Sequence, residues 1–205
     1  ATGVSLGIET AAFSIIQQFA GWLGPIPLAA FTITFYLLVF SFMVAIGFGA
    51  ATTVRVSNAH GRKEHRDMAF AGWTGLGLTT LATTIIGIFL VFFDENVVQV
   101  FTNDTEVYLL ATPLVFWAAI ALVTDGGQAV MANALRGRQD IWVACTIQAF
   151  SFLALMVPLT WYLVFPLEAG ITGIFYGISG STIIATALLS ARFYWLYRRD
   201  CKKYI

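Results

Sequence analysis

Bases are missing from three of the five gaps between this sequence's hydrophobic runs, and charge of either sign is scarce throughout. Charged residues make up 11% of the chain, against 59% hydrophobic. A soluble domain carries about 25% charged residues, so a water-exposed globule is excluded. The net charge is zero, and no nucleic-acid partner is expected. Only two histidines occur, His60 and His65, and they share one polar gap. No HExxH metal-enzyme pattern can be drawn from them. The segment GISG at 177–180 matches the GxSG of intramembrane serine proteases. A nucleophilic serine needs a base within hydrogen-bond reach, and both histidines lie in a different gap, so Ser179 is a packing residue and no enzyme is expected. The two cysteines, Cys145 in a run and Cys201 near the end, predict no disulfide. There is no signal peptide pattern, no soluble domain, no low-complexity linker and no convincing repeat. The sequence lacks an initiator Met and opens inside an apolar stretch, as expected of the later part of a longer protein.

What is present is length of apolar text. Six stretches, 3–24, 28–54, 68–93, 107–135, 141–164 and 168–197, run 22 to 30 residues. Each exceeds the ~20 residues that cross a bilayer. The fold class expected is therefore all-α, an integral membrane bundle of six transmembrane helices in one unit, 1–205. Threaded up and down, all eleven Lys and Arg fall on one side, from Arg55 through Arg136 and Arg138 to Lys203. The opposite gaps hold Asp94, Glu95, Asp104, Glu106 and Glu168 and no base. Basic loops stay cytoplasmic, so both chain ends are expected there. Trp22, Trp161 and Tyr162 mark outer ends, and Trp142, Tyr194, Trp195 and Tyr197 inner ends, as an aromatic belt does. Pro113 and Pro158 are expected to kink their helices. Small residues at 47–52, 72–77 and 170–181 predict close helix contacts.

Two acids escape the threading, Glu9 and Asp125, each inside a span. An ionisable group in hydrocarbon is a functional candidate by default. At 1.5 Å per residue, Glu9 lies roughly 20 Å and Asp125 roughly 25 Å from their outer ends. With no base deep in any span, pairing within the chain is not expected. Two carboxylates at one depth can bind a cation together, or hold a proton because desolvation and like charge favour the neutral form. Phe13 and Gln17 follow Glu9 on nearly one helix face, and Thr124 and Gln128 flank Asp125, with Asn133 about two turns on. Amide and aromatic groups of this kind suit a cavity for a cationic amphipathic ligand, and ordinary interhelical hydrogen bonding is the competing reading for each.

These residues resemble the C-terminal lobe of a MATE (multidrug and toxic compound extrusion) transporter of the NorM-like branch. GVSLGIETAAFSIIQQFAGWLGPIPLAA is similar to that family's seventh helix, with Glu9 at its intramembrane acid. ATTVRVSNAHGR resembles the end of the eighth, and GITGIFYGISG the start of the twelfth. The most specific stretch is DGGQAVMANALRGRQD, where Asp125 stands eleven residues before Arg136 as in the tenth helix. Phe31 and Thr32 stand where many members carry a His-Gln pair, and Ala121 where some carry tyrosine. The resemblance implies a cation-coupled antiporter, using sodium or protons, that exports drugs or organic cations by alternating access. It implies an N-terminal lobe as partner beside membrane lipid, a bacterial inner-membrane location, and no cofactor beyond the coupling ion. A lipid-linked oligosaccharide flippase of related architecture would more naturally line its cavity with bases. A non-transporting scaffold subunit would use the acids for packing alone.

Overall fold

The structure, a computed structural model, describes residues 2–202. Two long helices form its centre: α2 (Pro25–Gly61) and α5 (Thr105–Gly137) pack along one another, and α5 also packs against α3 (His65–Phe92) and α8 (Gly170–Lys202). The helix α1 (Thr2–Trp22) lies against α2 and against the broken helix made of α6 (Ile141–Ala149), a π-helical stretch Phe150–Met156, and α7 (Val157–Val164). Five helical runs are long and apolar enough to cross a membrane: α2, α3, α5, 141–164 and α8. The other expected span, α1, has 21 residues and falls outside that set, because Glu9, Gln17, Gln18 and several hydroxyls dilute its apolar content. The chain is an all-α integral membrane bundle. Its surface is accordingly apolar, with Phe40 82% and Phe92 79% exposed, a pattern water would penalise and lipid does not.

The helices begin and end where local chemistry requires. Gly24 takes φ 123 between α1 and α2, a conformation that L side chains rarely adopt, and Pro25 follows at the first helical position, where its missing N–H is no loss. Asp104 caps α5 by accepting from the Glu106 N–H at 2.9 Å. The polar gap expected over 55–67 shrinks to three residues, since α2 continues to Gly61 and α3 begins at His65. The outer loop is also partly helical: Asp94–Phe101 forms α4, with Val98 fully buried. Asp94 and Glu95 in its first turn complement the helix dipole.

Two chain reversals are alike. Ala59-His60-Gly61-Arg62-Lys63-Glu64 ends α2, and Leu135-Arg136-Gly137-Arg138-Gln139-Asp140 ends α5. In each, a left-handed residue follows the helix, Lys63 (φ 60) or Gln139 (φ 67). The next N–H returns to the carbonyl five residues back, Glu64 to Ala59 and Asp140 to Leu135, both at 3.0 Å. This is the Schellman arrangement, which satisfies otherwise orphaned carbonyls.

The prolines act differently. Pro113 sits inside α5 without ending it. Pro158 follows directly on the π-helical stretch. A proline removes one helical bond and crowds the carbonyl four residues before it, here Ala154, and a π bulge is a recognised way to absorb that conflict.

The core is split. One apolar cluster holds Leu38 of α2, Leu90 of α3, Val115 of α5 and Phe175 of α8. A second, toward the basic end, holds Val56, Met68, Met131 and Phe193 of the same four helices. Between them lies a belt of buried polar side chains: Ser41 and Thr52, Thr79 and Thr83, Asp125 and Gln128, Ser181 and Thr182. Most of these hydroxyls bond to their own helix, as Thr79 does to the Gly75 carbonyl at 2.8 Å.

Candidate cation-binding site

Asp125 sits in this belt, 3% exposed, at the start of Asp125-Gly126-Gly127-Gln128 on α5. No described residue donates a hydrogen bond to its carboxylate. Glu9 is half-buried on α1, whose Ile8, Ala12 and Ile16 belong to or pack against the first apolar cluster. It likewise receives no hydrogen bond from a described residue. The two carboxylates lie within electrostatic range of one another. Burying an anion without donors or a partner charge costs several kcal/mol (~), so this pair calls for a positive charge.

Part of that charge comes from a residue that the sequence reading left in a loop. Arg136 belongs to α5, and its charge and that of Glu9 act on each other. No described base forms an ion pair with either acid, but a base does reach Glu9 electrostatically from the end of α5. The signal was available: eleven residues are close to three helical turns, so Asp125 and Arg136 share a face, and a long helical side chain points back toward the N-terminus. Arg136 donates through Nη2 to Gln148 Oε1 of α6 at 2.7 Å, while its Nε is buried without a partner. Gln148, 4% exposed, is a second member that the sequence reading missed; nothing in the sequence of α6 sets it apart.

The other predicted residues divide. Gln128 is 1% exposed with its Oε1 unpartnered, one turn from Asp125. The Thr124 hydroxyl bonds to the Ile120 and Ala121 carbonyls and accepts from Thr182 Oγ1 at 2.8 Å, which ties α5 to α8. Phe13 joins an aromatic cluster, 5.3 Å from Phe35 and 6.1 Å from Phe152. Gln17 is exposed on α1. Asn133 donates to its own helix at Ala129 and accepts from Thr53 of α2 at 3.1 Å through its carbonyl, an interhelical tie. Phe31 is 1% exposed and stacks on Phe35 at 5.5 Å, so the position that the resemblance set against a histidine is apolar core. Ser179 is buried on α8, whereas His60 and His65 lie at the basic ends of α2 and α3.

A six-membered set of long helices, split by a polar belt that holds a buried carboxylate, with a second carboxylate within electrostatic range, is the build of one lobe of a membrane transporter. The chain belongs to the MatE family, whose model matches residues 2–162. It is 30% identical over 200 residues to a probable multidrug resistance protein NorM of Caulobacter vibrioides, covering 98% of this chain and 42% of that protein. It is 33% identical over 202 residues to the protein of the same description in Xanthomonas campestris pv. campestris, covering 97% and 44%. The chain thus spans less than half the length of these relatives. Its fold matches an outward-facing multidrug resistance MATE family transporter with TM-score 0.91 at 16% identity, over 97% of this chain and 45% of the other. It matches an inward-facing one with TM-score 0.89, also at 16% identity, over 97% and 46%.

Proposed function

We propose that this chain is the C-terminal lobe of a cation-coupled antiporter that exports drugs or organic cations, with sodium or a proton bound at Glu9 and Asp125. One observation carries the reading: Asp125 is buried to 3% exposure and no described residue donates to it. Such a carboxylate needs a mobile cation or proton in at least one state of the cycle. Both ions remain compatible with the site. The relatives' description as multidrug resistance proteins supports the substrate class.

The lobe resembles outward- and inward-facing transporters almost equally, at 0.91 and 0.89. That supports rocking of a rigid lobe against a second, N-terminal one around a midplane cavity. Cation arrival at the two acids would change the favoured packing of α1 against α2 and α6 and so release substrate. The membrane field can drive it, at about 2.3 kcal/mol per charge per 100 mV. The charge partition supports a bacterial inner-membrane setting with the basic end cytoplasmic.

The test is efflux from vesicles carrying the full-length transporter, under an imposed sodium or proton gradient. Glu9→Gln and Asp125→Asn are each expected to abolish gradient-driven export at normal expression. Near-normal export by both would reduce the acids to packing residues.

A further inference from the structure

We propose that the groove between α2 and α3 at the basic end of the bundle binds an anionic phospholipid, with its phosphate on Arg55 and one acyl chain along the groove. The groove holds about 250 Å³ and is walled by Phe48 and Arg55 of α2 and by Phe70, Thr74 and Leu78 of α3. Its floor is where the two helices come closest: a Cβ on Gly75 would lie 2.2 Å from Thr52 Oγ1. Thr52 Oγ1 already donates to the Phe48 carbonyl at 2.8 Å, so the floor offers little to a polar ligand. Phe70 is 66% and Leu78 47% exposed, open apolar walls that a hydrocarbon chain covers.

The guanidinium selects the headgroup. Arg62 pairs with Glu64 and Asp67, Arg138 with Asp200, and Arg192 with Asp140. Arg55 is exposed, and no described carboxylate pairs with it. It stands six residues before the end of α2 at Gly61, roughly 9 Å below the helix end. It also directly follows the apolar run 28–54, where a long basic side chain reaches the headgroups. A guanidinium there takes a phosphate in fork geometry. A soluble anion would leave Phe70 and Leu78 uncovered, and a zwitterionic lipid would bring its own cation beside Arg55. Negative charge and an acyl chain together fit both halves of the groove.

The full-length transporter is reconstituted into nanodiscs of equal parts phosphatidylglycerol and phosphatidylcholine, and the lipid retained after detergent washing is read by native mass spectrometry. Phosphatidylglycerol is expected to be retained over phosphatidylcholine. Arg55→Gln, at an exposed position that disturbs no packing, is expected to cut that preference about fivefold, the scale of one base at an anionic surface. Arg66→Gln, an exposed base outside the groove, leaves it unchanged. Thr74→Trp fills the groove and releases both lipids. Equal phosphatidylglycerol retention by wild type and Arg55→Gln overturns the proposal, and so does displacement of the lipid by inorganic phosphate. Neither result bears on the acids of the central belt.

Discussion

At the scale of single residues, the site has two acids, Glu9 and Asp125, and one base, Arg136, whose charge acts on Glu9 from the last turn of α5. If Glu9 and Asp125 share an ion, their titration belongs to the pair. Glu9→Gln combined with Asp125→Asn is then expected to cost little more export than either alone, since residues acting as a unit are not additive. Multiplicative losses in vesicle efflux would instead mean two independent sites. The Arg136 charge partly offsets that of Glu9. Removing its charge leaves the site more negative, so Arg136→Gln is expected to tighten coupling-ion binding by about 1 kcal/mol, close to fivefold. Turnover then falls because release slows. The concentration of ion giving half-maximal efflux reads this directly, and an unchanged value removes Arg136 from the site. At the end of α5, burial pushes the Arg138 guanidinium down while Asp200 pulls it back up. It remains charged throughout the physiological range, so this anchor between α5 and α8 is not a pH switch.

At the scale of helices, the two Schellman turns and the small-residue contacts decide stability. Lys63 and Gln139 hold left-handed backbone at the ends of α2 and α5, which costs an L residue about 1 kcal/mol that glycine does not lose. Lys63→Gly and Gln139→Gly are each expected to raise the thermal midpoint of the detergent-solubilised protein, by roughly 1 kcal/mol of stability less glycine's entropy cost in the unfolded chain. A lowered midpoint for both would mean that these side chains stabilise their turns more than the backbone strains them. The contact of α7 with α8 has the opposite sensitivity. A Cβ on Gly177 would lie 2.0 Å from Thr160 Oγ1 and 2.9 Å from Thr160 Cα. The hydroxyl can rotate, but the backbone cannot. Gly177→Ala is expected to cost about 1–3 kcal/mol by overpacking, with incomplete rescue by Thr160→Ala. A thermal midpoint equal to wild type would show that α7 can move away freely.

At the scale of the whole molecule, the charge partition predicts the orientation, with the basic end cytoplasmic. Lys63 lies in the short turn of the basic end and Asn103 in the acidic gap between α4 and α5, both exposed. A cysteine at Lys63 is expected to be shielded from an impermeant thiol reagent applied outside cells, and one at Asn103 labelled. Reversed labelling would invert the topology and place the Arg55 groove in the outer leaflet. Because α5 joins α2, α3 and α8 through both apolar clusters, these four helices are expected to move as one if the lobe rocks as proposed.

The apolar runs, and hence the helices and their membrane setting, were determined by the sequence alone. Twenty residues of hydrocarbon contact admit little but helix. The positions of Glu9 and Asp125 inside spans were equally plain, because an acid surrounded by apolar text needs no neighbours to be noticed. Helix ends were less legible: α2 runs on through Arg55 and Ser57 to Gly61, since a helix leaving the bilayer keeps its backbone bonds while its side chains turn polar. The acidic gap concealed α4 because eight residues carry too short a pattern. Only the tertiary structure decided what surrounds the acids. It joined Arg136 to Gln148 and brought the Arg136 charge to bear on Glu9, and turned Phe13 into an aromatic cluster. A sequence states which face of one helix a residue occupies. Which faces meet depends on how all the helices close on each other, and that is set by packing between residues distant in the chain.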